Sequence, residues 1–226
     1  MNDAMKPFVL VDCSLVRYAT GRAVLNLREL LAAVRNEPDE VLEHHMMRCV
    51  LEDVFELYEF PNDLARWCWT ALGDHVLAEK LGLVDPYQHE SLSSLRAALA
   101  NLIEERLWGL DHVPWCQPGM EGHIMESKLI AYDTGERFTT PVTLAEALPR
   151  MSVRSLFYHV HEARRRTHGQ TDDFSLWLED IGAHPELVRD LRAIDFYFLN
   201  LHELRVQFLK VFRHYLPDIQ VPFLSV

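Results

Sequence analysis

Four cysteines are few for 226 residues, and Cys13, Cys49, Cys68 and Cys116 show neither CxxC spacing nor a compact framework. That argues against a disulfide-stapled scaffold and predicts reduced thiols packed mostly as small hydrophobes. Glycine is also scarce, nine residues in all, with no Gly-rich phosphate loop and no GxSxG elbow. No apolar run approaches the roughly 18 residues that span a bilayer. The opening MNDAMKPFVLVDCS has an acid at position 3 and an apolar run broken by Asp12, unlike a secretory signal. The cytoplasm is the expected location. Basic residues are in deficit, 22 against 34 acidic for a net charge of -12, which disfavours nucleic acid and anionic membranes as partners.

What the chain does hold is an ordinary globular share of apolar residues, 49%, arranged in a pattern that recurs. Adding 114 carries Thr20-Gly21 onto Thr134-Gly135, Leu42 onto Leu156 and His45 onto His159. Adding 110 carries Asp63 onto Asp173, Trp67 onto Trp177 and Asp85 onto Asp195. The expected organisation is a first repeat unit over 1–110, a Pro/Gly-rich connector over 111–121, a second unit over 122–216 and an extended tail over 217–226.

Each unit opens on a strand-like run, FVLVDCSLVRY or HIMESKLIAYD, that is expected to stop at a Thr-Gly turn. Helices follow behind readable caps: Asn26 with Glu29, Thr140 before Pro141, Ser152, Asp172, and Asn200 with Glu203. The predicted fold class is mostly α (α+β), two tandem pseudo-symmetric units, each a short strand or hairpin followed by about four helices. The two leading strands are expected to pair.

On a helical wheel from Ser152 to Arg166, Val153, Leu156, Phe157, Val160 and Ala163 share an arc with His159 at its edge; His161 points away. Leu42, Met46, Cys49 and Val50 make the same arc around His45. An edge imidazole packs one face and reaches a polar partner, and the natural partner is the aspartate opening the next helix, Asp63 or Asp173. The candidate polar site is therefore His45, Asp63, Trp67, His159, Asp173 and Trp177, with Arg166 beside it. The leading reading is structural, a His–Asp hydrogen bond clipping each helical hairpin over a tryptophan. The functional reading keeps histidine for acid–base work and tryptophan for stacking on a ligand.

Other chemistry is weaker. Glu43-His44-His45 and His159-Val160-His161-Glu162 are not HExxH, and His44 and His45 diverge by 100° on a helix, so neither metal nor cofactor is expected. Asp133-Thr134-Gly135 matches the aspartic-protease tripeptide, but the position 114 residues earlier is Ala19, so only a homodimer could supply the second carboxylate, and Thr-Gly recurs as a turn in both units. Arg164, Arg165 and Arg166 read as a solvated helix C-terminus favoured by the helix dipole. Gripping an acidic partner or a phosphate is the lesser alternative.

The phrases VDCSLVRYATGRAVLNLREL, NDLARWCWTALGDHVLAEKLGLVDP, ALPRMSVRSLFYHVHEARRRT and DDFSLWLEDIG together resemble an uncharacterised prokaryotic family catalogued as a domain of unknown function, with an internally duplicated helical unit. The resemblance covers nearly the whole chain. It carries over no activity, cofactor or catalytic residue, and it adds a carbohydrate-related ligand to the partners to be considered.

Two classes of function follow. The leading one is a non-catalytic binding or accessory protein, a duplicated helical scaffold that docks on a partner protein or on itself. The other is a small-molecule or sugar-handling enzyme with a site between the two repeat units, built from His45, Asp63, His159, Asp173 and Arg166.

Overall fold

A computed structural model describes residues 6–51, 60–167 and 171–219. It is mostly helical, with a two-stranded antiparallel sheet. The elements run β1 (Phe8–Val24), α1 (Leu27–Asn36), α2 (Asp39–Glu43), a π-helical turn (His44–Arg48), a 3-10 turn (Cys49–Leu51), α3 (Asp63–Thr70), α4 (His75–Gly82) and α5 (Leu92–Trp108). Then come β2 (Gly122–Phe138), α6 (Pro141–Ala147), α7 (Val153–Phe157), a second π-helical turn (Tyr158–Glu162), α8 (Ala163–Arg166), α9 (Asp173–Asp180), α10 (Pro185–Arg192) and α11 (Leu201–Tyr215). No helix among the described residues is long and apolar enough to cross a membrane.

The chain forms two compact units, which part at 14/15 and 129/130. The early unit is Leu15–Leu129; the late unit is Met1–Ser14 together with Ile130–Val226. Each strand is therefore divided, and β1 and β2 pair with one another as expected. The first residues of β1 serve the helices of the second half, and the first residues of β2 serve those of the first half.

The strands do not stop at Thr-Gly, as the sequence suggested; each is 17 residues long and runs through it. Gly21 (φ 77°) and Gly135 (φ 83°) take the left-handed conformation inside the strands, a local kink of the kind glycine permits. Thr20 Oγ1 accepts the Arg22 N–H at 3.2 Å and donates to the Ile124 carbonyl at 2.7 Å. Thr134 Oγ1 likewise accepts from Glu136 N–H and donates to the Leu10 carbonyl at 2.8 Å. The threonine hydroxyl thus adds a bond across the two strands beside each kink.

Helix starts fall where the caps predict. Asn26 accepts from Arg28 and Glu29, Thr140 from Thr143, Ser152 from Ser155 and Asp172 from Ser175. Asn200 and Glu203 close a reciprocal box. At Asn26 the reciprocal half differs, because Glu29 reaches back to the Leu25 N–H. In the early unit Leu27, Leu30, Met46, Leu77, Leu95 and Ile103 form the core; in the late unit Leu144, Phe157, Phe174, Leu178, Phe208 and Phe212 do. Cys13, Cys49 and Cys68 are buried thiols, as their composition suggested, while Cys116 is half-buried. Of the expected tail, only 217–219 lie within the described residues.

Candidate functional site

Burial of both neighbouring histidines is where the wheel fails. His161, expected to point outward, is 2% exposed, and His44 is 1% exposed. The cause is the π-helical turn that holds each pair. An i→i+5 turn takes an extra residue per hydrogen bond, so the 100° step no longer tracks which side chain faces in. His161 stacks on Phe157 at 5.1 Å and meets Phe196 edge-on at 5.0 Å.

The π turns also aim His45 and His159 at the strands. In the early unit His45 Nδ1 lies 3.1 Å from Asp63 Oδ2, and its Nε2 accepts the Met125 backbone N–H at 3.1 Å. In the late unit His159 Nδ1 lies 2.7 Å from Asp173 Oδ2, and its Nε2 accepts the Val11 N–H at 2.9 Å. A backbone amide can only donate, so Nε2 is the acceptor and the ring proton sits on Nδ1, where it donates to the carboxylate. Both nitrogens are engaged in each ring. The expected His–Asp pairs thus form, and each also pins a strand.

Neither tryptophan simply underlies its pair. Trp67 Nε1 donates to the Met120 carbonyl and Trp177 Nε1 to the Lys6 carbonyl, each at 2.9 Å. These are again bonds to the segment leading into a strand. Phe8 joins the late set, meeting the Trp177 ring edge-on at 5.7 Å and the His159 ring at 4.8 Å. β2 passes close to Trp67 at Gly122: a Cβ there would lie 2.7 Å from Val24 Cγ2 and 2.9 Å from Trp67 Cε2.

The arginine run is not a solvated end. Arg164 is buried, donates to the Val160 carbonyl at 3.1 Å and covers the Phe196 ring at 3.9 Å. Arg165 pairs with Glu162 at 3.1 Å. Arg166, the exposed member, pairs with Asp173 at 2.9 Å and lies 4.4 Å over the Tyr158 ring. All three therefore bind within their own unit. Asp133 is likewise local: it pairs with Arg137, accepts the Gly135 N–H at 2.8 Å and lies within β2.

A cleft of about 360 Å³ opens in the early unit at the His45–Asp63 pair. Arg17, His44, Arg66, Trp67, Thr70, Glu121 and His123 line it together with Val24, Leu30, Leu64, Ile124 and Met125. Burial opposes ionisation of Asp63, but the His45 hydrogen bond and the adjacent Arg66 hold its carboxyl below the usual range. Burial, then the proximity of His45, Arg17 and Arg48, pushes His44 down to about 4 against the opposing pull of Asp63. Of the candidate residues, the structure brings His45, Asp63 and Trp67 to this cleft. His159, Asp173, Trp177 and Arg166 belong to the other unit.

His44, His45 and Asp63 place three donor atoms within 4.8 Å of one another, the one such metal-type cluster among the described residues. The donor set does not fit an ion. Metal on His45 Nδ1 would force the ring proton onto Nε2, directly against the donating Met125 N–H. The thiols are no better suited to chemistry. Burial, with Asp12 and Glu162 nearby, pushes Cys13 up to about 12, and burial also raises Cys68.

A mostly helical fold whose two strands are clipped by His–Asp pairs is the class this geometry defines. The sequence model of the family of unknown function DUF5752 matches residues 5–213, so the chain belongs to that family. Among solved structures it is similar to that described as "The structure of OrfY from Thermoproteus tenax". The TM-score is 0.75 at 24% identity, covering 94% of this chain and 97% of that one, a likeness of fold. No curated protein matches the chain.

Proposed function

We propose that this protein is a non-catalytic binding or accessory protein, a duplicated helical scaffold that docks on a partner protein or on a second copy of itself. The supporting observation is the use made of its most reactive-looking groups. Each candidate histidine spends one nitrogen on a carboxylate and the other on a strand amide, which leaves no ring position for moving a substrate proton. The recurrence of the same bonds, 114 residues apart at the histidines, supports the duplication. Docking has exposed apolar surface to use, since Trp108 is 85% and Trp115 65% exposed in the early unit.

Sedimentation over a range of concentrations, alongside affinity capture from native lysate with mass spectrometry of proteins and co-purifying small molecules, tests this reading. A reversible dimer or one stoichiometric protein partner supports it. A retained metabolite that the purified protein converts to product overturns it in favour of an enzyme.

A further inference from the structure

We infer that the early-unit cleft binds a small molecule built on one uncharged aromatic ring, seated against His45, Leu64 and Trp67 in the place that the Phe8 side chain fills in the late unit. The comparison rests on matched bonds. Trp67 and Trp177 donate to the carbonyls of Met120 and Lys6, and His45 and His159 accept the amides of Met125 and Val11. Both pairs of strand residues are 114 apart, so Gly122 stands in the early unit where Phe8 stands in the late one. Phe8 is 4% exposed, and its ring stacks on Phe174 at 5.1 Å, lies 4.8 Å from the His159 ring and meets Trp177 edge-on at 5.7 Å.

Two further positions lose volume in the same place. At the offset of 114 Val24 answers Phe138, and at the offset of 110 that carries Asp63 onto Asp173, Leu64 answers Phe174. Three buried phenylalanines of the late unit thus become valine, leucine and glycine, and all three smaller residues line the early cleft. A side chain from position 122 cannot refill it, since a Cβ there meets Val24 and Trp67 below 3.0 Å. A ring free of that backbone has no such conflict. What remains around the space is the setting that holds Phe8: a neutral imidazole, an apolar wall and the carbon surface of an indole whose N–H is already committed. The charged side chains do not favour an ion, because Arg17 and Arg66 balance Asp63 and Glu121. At about 360 Å³ the cleft exceeds one phenyl ring, and it extends to the exposed Thr70 and His123, where an uncharged polar substituent of the ligand reaches water.

The site stands apart from the docking proposal, because a ligand in one unit requires neither a partner nor a second copy. An NMR titration of the full chain tests it, with benzyl alcohol as probe, its saturated analogue cyclohexylmethanol as comparison, and the indole N–H signals of Trp67 and Trp177 as reporters. Benzyl alcohol is expected to shift the Trp67 signal saturably and to bind about threefold or more tightly than the saturated alcohol, whose thicker ring lacks the aromatic contacts. Val24→Phe combined with Leu64→Phe, which gives the early wall its late-unit residues, is expected to weaken binding about tenfold or more. Phe8→Ala makes the opposite change and is expected to add a second site that shifts the Trp177 signal. Either variant is decisive if the other fails to fold, and the titration of the unaltered chain needs neither. No saturable Trp67 shift up to about 10 mM benzyl alcohol, equal binding of the two alcohols, undiminished binding by the folded double variant, or no Trp177 shift in a folded Phe8→Ala chain would each overturn the inference.

Discussion

His45 and His159 are each a three-way joint, tying a helix to the next helix through an aspartate and to a strand through a backbone amide. Removing such a ring leaves a strand N–H buried and a carboxylate short of a donor, a loss of about 1–3 kcal/mol for the buried donor alone. His159→Ala is therefore expected to lower the denaturation midpoint, measured by urea unfolding at neutral pH; an unchanged midpoint would show that the ring is not a structural joint. The second pair of histidines makes a pH prediction. Burial, and then Arg164, pushes His161 down to about 3; burial pushes His44 down to about 4. Both folded values lie below the unfolded value near 6.5, so the unfolded chain takes up protons first as pH falls. Stability is thus unaffected by these groups above about pH 6.5. Below it each costs about 1.4 kcal/mol per pH unit at most, until its folded value is reached. Urea midpoints between pH 7 and 4 should fall, and His161→Phe should flatten part of that slope.

The pairing of these histidines with Asp63 and Asp173 was legible from spacing alone, because an edge imidazole needs a partner and a first-turn acid stands opposite. The identity of the second partner was not. Met125 and Val11 offer backbone amides, which carry no sequence signature, and only strand placement brings them within 3.1 Å and 2.9 Å. Arg66 was readable in principle, three residues after Asp63 on one helix. Arg17 and His123 were not, since they reach the cleft by strand pairing across about a hundred residues.

Elements show a similar division. Caps at Thr140, Ser152, Asp172 and Asn200 are local chemistry, and the helices start where those side chains say. The π turns at His44–Arg48 and Tyr158–Glu162 change the phase of the helix, which a constant step cannot anticipate. Thr-Gly looked like a strand end because glycine at positive φ is a common turn device. Here the kink lies within a strand, and the threonine hydroxyl beside it bonds across to the neighbouring strand. A Cβ at Gly21 or Gly135 meets nothing within 4 Å, so the cost of substitution is purely conformational. Gly21→Ala and Gly135→Ala should each lower stability by about 1–2 kcal/mol, the penalty of the left-handed region for an L residue. Thermal unfolding monitored by circular dichroism reads this directly, and no change would mean that the backbone relaxes out of the positive-φ conformation.

At the scale of the whole molecule, the consequence of dividing each strand is that neither half of the chain holds a complete unit. The late unit depends on residues 6–13: the Lys6 and Leu10 carbonyls, the Val11 amide and the Cys13 thiol, which bonds the Arg154 carbonyl at 3.3 Å. A tandem arrangement with self-contained repeats would let residues 122–226 fold alone. This one predicts that the 122–226 fragment shows little cooperative unfolding by circular dichroism, and that removal of residues 1–14 from the full chain destabilises chiefly the second-half helices, read by hydrogen exchange. A cooperative, native-like 122–226 fragment would contradict it.

The amino-acid sequence alone determined the helical class, the caps, the paired His and Asp positions and the pairing of the two leading strands, because each depends on side-chain type at short spacing or on a pattern that recurs. Tertiary structure alone decided which half of each strand serves which helices, the inward turn of His44 and His161, and the gathering of Arg17, Arg66 and His123 around one cleft. The reason is physical: backbone amides and carbonyls supply the second half of these contacts, every residue carries them, and only the folded chain selects which ones meet.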